Sequence, residues 1–94
     1  MHEVVQVIPQ NDFTVFVYFA DGLIKKYDAA SLLNHGVFKK ISDIKSFTEK
    51  CTVMNHTLAW DLSGTYDPYN CIDLDPDSIY ENSITVDDPL NKAI

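Results

Sequence analysis

The sequence contains no arginine: its seven cationic residues are all lysines, against fourteen acidic residues, and the formal charge is −7. Arginine makes the commonest specific base contact, and clustered cations provide most of the affinity of proteins for phosphate backbones. The pairs Lys25–Lys26 and Lys39–Lys40 are separate rather than a continuous stripe. We therefore expect no binding to nucleic acid or to an anionic membrane, and a basic protein partner would be attracted.

Long apolar runs, glycine and cysteine are also scarce. No run approaches the roughly 20 residues needed to cross a bilayer, and the start of the chain lacks the basic and apolar segments of a secretion signal. The three glycines leave no phosphate-binding loop. The sequence spacings between Cys51, Cys71 and the histidines match no zinc-binding pattern. We therefore expect reduced thiols, no metal, no cofactor and a cytoplasmic location.

The composition is that of a globular chain with one modest core. The sequence has 94 residues, of which 46% are hydrophobic and 12% aromatic. This length leaves room for one folding unit. We place a single α+β domain over residues 1–82 and a C-terminal tail over residues 83–94, which begins with a short strand and then frays.

The first third of the chain predicts three strands. Residues 4–8 are rich in β-branched side chains, and residues 13–19 form the clearest strand pattern of the sequence. Asp21-Gly22 follows and leads into residues 23–28. This dipeptide between two strand patterns predicts a β-hairpin with a two-residue type I′ turn.

A two-residue turn fixes the register of this hairpin. It places Phe16 opposite Tyr27 and Phe19 opposite Ile24, and opposed residues share a face. The predicted core face carries Phe13, Val15, Val17, Phe19 and Ile24. The second face carries Phe16, Tyr18, Leu23 and Tyr27. The second face is too apolar for open water, so we expect the chain's own helices or tail to cover it, with a second subunit or a partner as the alternative.

Short helices follow the hairpin. Residues 29–36 predict a helix with Asp28 as its N-cap and Gly36 as its end. Apolar residues at spacings of three and four predict a second helical stretch over residues 37–47, broken near Ser42-Asp43.

The remaining elements complete the fold class. Residues 52–54 and 57–60 predict a second hairpin around Asn55-His56, because asparagine tolerates the left-handed conformation of such a turn. Residues 61–70 read as a loop, and residues 75–82 as a helix with Asp75 as its cap. The sequence therefore predicts an α+β fold with a small antiparallel sheet built from hairpins and two or three short helices.

No grouping of residues predicts catalysis or a metal site. Asp73, Asp75 and Asp77 match the first three positions of a calcium loop, but Ser78 and Ile84 stand where glycine and glutamate are required. We interpret these aspartates as capping and solvated residues. The cysteines and histidines lack the surroundings of a nucleophile and its base, so we expect a protein that is not an enzyme.

Trp60-Asp61 stands out because it joins a strand to an acidic loop. A lone tryptophan there is more often a core residue whose indole N–H binds a carbonyl, and the alternative is the wall of a binding site.

The order of these features resembles the uncharacterised bacterial family known as domain of unknown function 2442. The resemblance runs from about Val4 to Tyr80. It is carried by a Val-rich start ending in Pro9, the segment FTVFVYFADG, GVF at residues 36–38 and TLAW before an acidic segment. It implies a small α+β domain and brings no catalytic residues. Some relatives carry a helix-turn-helix domain afterwards, and others stand beside small toxin-like genes, which implies an antitoxin-like role. The long loop 61–73 departs from the family pattern.

These observations predict a non-catalytic protein-interaction module that acts like an antitoxin by masking a basic partner. Self-association of the protein is compatible with this prediction. The alternative is a small-ligand sensor whose pocket is formed by Trp60 and the Tyr66–Tyr69 loop. The candidate interaction or ligand residues are Phe16, Tyr18, Tyr27, Trp60, Asp61, Tyr66 and Tyr69.

Overall fold

The computed structural model describes residues 2–90 and contains two antiparallel sheets. In chain order the strands are β1 (Val4–Pro9), β2 (Thr14–Phe19), β3 (Ile24–Asp28), β4 (Cys51–Met54), β5 (Thr57–Asp61), β6 (Cys71–Asp73) and β7 (Ile84–Thr85). The first sheet has the order β1-β2-β3-β7 and the second the order β4-β5-β6. The predicted α+β class is confirmed, and the hairpins build two sheets rather than one.

The helical elements are short and capped by aspartates. They are two 3₁₀ helices, Ala30–Leu32 and Gly36–Ile41, and the α-helices α1 (Ile44–Lys50) and α2 (Pro76–Asn82). The Asp43 carboxylate accepts the Ser46 N–H at the start of α1, and the Asp75 carboxylate accepts the Asp77 N–H at the start of α2. The predicted break before α1 and the predicted cap of α2 are both confirmed. Within residues 2–90, no helix is long and apolar enough to cross a membrane.

The first predicted helix is shorter than expected. Only residues 30–32 form a 3₁₀ helix, and the Asp28 carboxylate accepts the Ala30 N–H at 3.0 Å without capping a full helix. Gly36 does not end this helix but begins the next one, with a positive φ of 51°. Glycine adopts that conformation cheaply, so it changes the chain direction between two short helices.

The β2–β3 hairpin has a three-residue loop, and the predicted register is wrong by one residue. The Phe19 N–H donates to the Leu23 carbonyl at 2.9 Å, which leaves residues 20–22 in the loop. Within this loop only Gly22 takes a positive φ, of 92°. Asp-Gly also fits this second loop type, in which a type I turn is followed by a left-handed glycine.

The corrected register moves three side chains between faces. Leu23 lies opposite Phe19 and shares its face, so its predicted placement on the second face was wrong. Val15 lies opposite Tyr27, and Tyr18 lies opposite Ile24. Tyr27 therefore shares the core face with Val15, whereas Ile24 joins Tyr18 on the other face. The predicted placement of Tyr27 on the second face and of Ile24 in the core was wrong for this reason.

One hydrophobic core is shared by both sheets. Val15 and Val17 of β2 are fully buried, as are Trp60 of β5 and Phe47 of α1. The Val4 N–H donates to the His56 carbonyl at 3.0 Å, which joins the edge of the first sheet to the second. Burial of these side chains provides the main driving force for closing the two sheets on each other.

The second sheet is partly as predicted. Asn55 and His56 connect β4 to β5 with φ values of 55° and 64°, which confirms the predicted hairpin and its left-handed turn. Strand β6 was not predicted. It has three residues, of which only Ile72 is buried, so it carries no alternating pattern for sequence analysis to detect.

The beginning of the tail forms part of the first sheet. Strand β7 pairs with β3, with Ile84 opposite Lys26 and Thr85 opposite Lys25. The short strand predicted in the tail is therefore present. The sequence also predicts that the last residues fray. Positions 91–94 of that prediction lie outside the described residues.

Replacing Phe19 by alanine tests the assignment of the two faces of β2. Phe19 is buried, and its ring centroid lies 4.9 Å from that of Tyr80. We expect Phe19→Ala to lower the free energy of unfolding by about 3–5 kcal/mol, as for other buried aromatics. Urea denaturation provides the measurement. Phe16→Ala, on the opposite face, serves as the comparison, and a larger loss there than at Phe19 would contradict the assignment of the two faces.

Candidate functional site

The face of the first sheet that points away from the core is the main candidate site, and we call it the outer face. Cross-strand pairs define it, because opposed residues share a face. Ile8 lies opposite Phe16, Phe16 opposite Lys26, and Lys26 opposite Ile84. The members of the outer face are Gln6, Ile8, Phe16, Tyr18, Ile24, Lys26 and Ile84.

The outer face is apolar but partly open to water. Ile8, Phe16, Tyr18 and Ile24 are each partly exposed, and the Ile84 side chain is 68% exposed. The Lys26 ammonium lies 5.8 Å from the centre of the Phe16 ring, at the outer limit of a cation–π contact. The outer face therefore presents an apolar strip that is partly open to water.

Carboxylates border the outer face. Asp12, in the β1–β2 turn, accepts hydrogen bonds from the Thr14 hydroxyl and N–H. The Thr14 hydroxyl, then its N–H, and to a smaller extent the Lys26 charge hold the pKa of Asp12 below its usual value. Asp28 ends β3 opposite Thr14. The Phe16 end of the outer face thus carries negative charge at its edge.

The other end of the outer face is contacted by residues 86–90, which we call the C-terminal segment. The Val86 N–H donates to the Ile24 carbonyl at 2.9 Å, and the Tyr18 hydroxyl donates to an Asp88 carboxylate oxygen at 2.6 Å. Loss of solvent, followed by the bond to Asp88 and its charge, raises the pKa of Tyr18 to about 12. The expectation that the chain's own tail covers this face is confirmed at Tyr18.

Tyr27 is not part of the outer face. It packs against the core cluster, and burial, followed by the nearby Asp28 charge, raises the pKa of its hydroxyl. Tyr27 therefore contributes to the interior rather than to a contact surface.

Trp60 occupies the middle of the core. Its side chain is fully buried, and its indole N–H donates to the Phe47 carbonyl at 3.0 Å. The Phe47 and Trp60 ring centroids lie 5.5 Å apart. Since a buried indole needs such a partner, the interpretation of Trp60 as a core residue is confirmed.

Asp61 organises the loop that follows β5. One carboxylate oxygen accepts the Ser63 hydroxyl at 2.7 Å and the Ser63 N–H at 3.2 Å, and the other accepts the Tyr66 N–H at 2.9 Å. These bonds, of which the one from the Ser63 hydroxyl is the largest cause, lower the pKa of Asp61. They also hold Tyr66 at a positive φ of 57°, which is uncommon for a bulky residue.

The loop exposes both of its tyrosines beside shallow cavities. Tyr66 is 65% exposed and lines a cavity of about 290 Å³ together with Asp61 and Lys50. Tyr69 is 97% exposed and borders a second cavity, of about 390 Å³, with Val37 and Leu62. The second volume lies at the lower end of the range for small-molecule sites, and the first lies just below that range.

The thiols and the acidic cluster are poorly suited to chemistry. Burial raises the pKa of Cys51 to about 12, and burial followed by nearby carboxylates raises that of Cys71. Of the acidic residues, Asp73 accepts the Asn55 amide at 3.1 Å and Asp77 accepts the His2 N–H at 2.8 Å. Among residues 2–90, no three metal-binding side chains are grouped to hold an ion.

The candidate residues predicted from the sequence are therefore dispersed. Phe16 and Tyr18 lie together on the outer face, whereas Tyr27 and Trp60 belong to the interior and Asp61, Tyr66 and Tyr69 to a separate loop. Sequence reasoning missed Ile8 and Ile24 as members of the outer face. The alternation in β1 could have indicated Ile8, but Ile24 depends on the length of the hairpin loop.

Residues 2–90 thus form a small α+β protein whose two antiparallel sheets enclose one core. The chain belongs to the family described as protein of unknown function (DUF2442), which matches residues 4–85. The match begins with β1 and ends with β7, so it includes every strand. The resemblance inferred from the sequence is confirmed. No curated protein and no solved structure is significantly similar to the chain.

Replacing Asp61 by asparagine should destabilise the protein at neutral pH, and the effect should shrink as the pH is lowered. The folded state lowers the pKa of Asp61 below the unfolded value of about 3.9, so its stabilisation is complete above that pH and is lost as the pH falls through the folded pKa. Urea midpoints of both proteins, measured as the pH is lowered from about 7, give the comparison. A difference that grows as the pH falls would contradict the assigned role of the carboxylate.

The alkylation rate of Cys51 tests whether its thiol is inert. At about pH 8 a pKa near 12 leaves roughly a thousandth of the thiolate present in a free cysteine, so we expect iodoacetamide to label Cys51 about a thousand times more slowly. Peptide mass spectrometry distinguishes Cys51 from Cys71. Labelling in urea is the control, because both thiols should then react alike. Rapid labelling of Cys51 in the folded protein would show that the thiol is activated.

Proposed function

We propose that this protein is a non-catalytic interaction module that binds a basic protein partner through the outer face. The observation that carries the proposal is the partly exposed apolar strip formed by Ile8 and Phe16. The C-terminal segment contacts Tyr18 and Ile24 and leaves this strip uncovered. Exposed apolar surface costs free energy in water, and a partner that buried it would recover that cost.

Charge supports a basic partner. The chain carries a formal charge of −7, and Asp12 and Asp28 border the Phe16 end of the outer face. Complementary charge accelerates encounter and disfavours acidic proteins, while the apolar strip provides the contact area. A partner segment with apolar residues on one side and lysine or arginine at its ends fits this surface.

An antitoxin-like role in the bacterial cytoplasm is the specific form of this proposal. An antitoxin that masks a basic surface needs acidic and apolar groups side by side, and the outer face offers both. The thiols support a reducing compartment, because Cys51 and Cys71 are both free in the structure.

The non-catalytic role is part of this proposal, and the state of both thiols and of two carboxyl groups is consistent with it. Both thiols have raised pKa values, and the carboxyl groups of Asp43 and Asp61 are engaged with backbone N–H groups at α1 and at the loop. A general base needs a pKa near the working pH, whereas both of these carboxyl groups have lowered pKa values.

A small-ligand sensor is the second candidate. The observation that favours it is the exposure of Tyr66 and Tyr69 beside the two cavities, since exposed aromatic rings commonly line binding sites. Trp60 would not contact such a ligand, because it lies fully inside the core. A ligand of this kind would raise the melting temperature.

Matched isoleucine substitutions test the proposed interaction. Ile8→Thr places a hydroxyl on the outer face, and Ile44→Thr makes the same change on α1, where Ile44 is 37% exposed. We expect a protein retained from the lysate of the encoding organism to be lost with Ile8→Thr and kept with Ile44→Thr. Rising salt should release the retained protein, because the contact depends on charge. Mass spectrometry quantifies recovery.

Melting temperatures of both variants confirm that they are folded before recovery is compared. Phe16→Thr is a second variant on the same face and should reduce recovery further, since it removes an aromatic ring. Equal recovery by Ile8→Thr and Ile44→Thr would exclude the outer face as the binding surface. No retained protein, together with a melting temperature that rises with a metabolite, would favour the sensor.

A further inference from the structure

We infer that the outer face also binds a second copy of this chain, through the 3₁₀ helix Gly36–Ile41, which we call the lysine helix. This inference rests on the proposed function, because it takes the outer face as the binding surface and adds a second copy as its occupant. It is carried by the charge of the lysine helix, by the carboxylates of the outer face and by the positions of the two surfaces.

Charge is unevenly distributed along the chain. Residues 29–60 contain four of the seven lysines and two of the fourteen acidic residues, which gives this part a net charge of +2. The other residues contain three lysines and twelve acidic residues, which gives a net charge of −9. The acidic chain therefore includes one region of opposite sign, and this region attracts the acidic surface of another copy.

The lysine helix has the composition described above for a partner of the outer face. Its Ile41 side chain is fully buried in the core, whereas Lys39 and Lys40 are exposed. Among residues 2–90, neither of these two lysines forms an ion pair with a carboxylate. Val37 is 47% exposed and borders the same cavity as Lys40, so an apolar side chain lies near the cation. The lysine helix thus offers unpaired positive charge together with apolar surface.

The outer face presents the complementary groups. Asp28 lies opposite Thr14, two residues before Phe16, so the Asp28 carboxylate is on the same face as the Phe16 ring. Asp12 is exposed in the turn next to Thr14. Lys26 also lies on this face, and its ammonium is 5.8 Å from the centre of the Phe16 ring. The two carboxylates outnumber this one cation, so the lysines of a second copy meet a negative edge beside the apolar strip.

The two surfaces lie on opposite sides of the molecule. The Phe47 ring of α1 lies 5.1 Å from the Phe13 ring, and Phe47, Ile41 and Val15 belong to one core cluster. The lysine helix and α1 therefore pack on the core side of the first sheet, whereas the outer face points away from the core. One copy cannot join its own two surfaces, so the contact between copies is head-to-tail.

Sedimentation velocity of the full chain over a series of protein concentrations tests this contact. We expect the original protein to form dimers and then larger species, because a head-to-tail contact leaves one free surface at each end. Lys39→Gln with Lys40→Gln removes the two cations of the lysine helix, and Phe16→Thr removes a ring from the outer face. We expect each of these two variants to self-associate at least about fivefold more weakly, as for truncated contact residues.

Ala20→Glu with Ser78→Glu is the matched control for net charge. It makes the same change in net charge as the two lysine substitutions, at exposed positions in the β2–β3 loop and on α2. Neither position belongs to the outer face or to the lysine helix. We expect this control to self-associate as the original protein does. Melting temperatures confirm that every variant is folded, and Ile8→Thr is a second variant of the outer face.

An equimolar mixture of the lysine variant and Phe16→Thr tests the head-to-tail arrangement directly. The lysine variant keeps its outer face, and Phe16→Thr keeps its lysine helix. We therefore expect the mixture to form dimers that grow no further, although each variant alone associates weakly. If two outer faces met instead, the lysine variant alone would associate as the original protein does, which would overturn the inference.

The outcomes separate self-association from the interaction with another protein. An original protein that stays monomeric at every concentration, a control weakened as much as the lysine variant, or a mixture without dimers overturns the inference. Each of these results leaves the proposed function in place if Ile8→Thr still loses the protein retained from the lysate. Dimers in the mixture without any protein retained from the lysate support the second copy and overturn the basic protein partner.

Discussion

The three-residue loop between β2 and β3 is the constraint on which the rest of the structure depends. Because Gly22 takes the left-handed conformation, Phe19 pairs with Leu23, and every later pair of the hairpin follows from that contact. A loop shorter by one residue would exchange the two faces of β3 and turn Tyr27 outward. The division between a core face and an outer face is therefore decided by the conformation of one glycine.

The core shows how a chain of this size joins two small sheets. Both sheets are small, and both contribute residues to one core with Trp60, whose indole N–H donates to the Phe47 carbonyl of α1. This bond satisfies the indole while the ring fills the space between sheet and helix. It also keeps Trp60 away from the surface, so the candidate surfaces are the outer face and the loop that Asp61 organises.

Structural features that depend on neighbouring residues were predicted better than contacts between residues far apart in the sequence. The Asp43 and Asp75 caps and the Asn55-His56 turn depend on a few neighbouring residues, and the sequence identifies them. The one-residue error at β2–β3 arose because Asp-Gly fits two loop lengths, which only packing distinguishes. The contact of Tyr18 with Asp88 joins residues 70 positions apart and has no signature in composition or spacing. The sequence therefore predicted Phe16 and Tyr18 on one face, but not the other members of the outer face.

The C-terminal segment lies outside the part of the chain that the family match describes. The match ends at residue 85, with the last residue of β7, whereas the C-terminal segment begins at Val86. Its contact with the outer face, the bond from the Tyr18 hydroxyl to Asp88, therefore involves a residue beyond the match. A substitution at Asp88 would change that contact without replacing a residue of any strand.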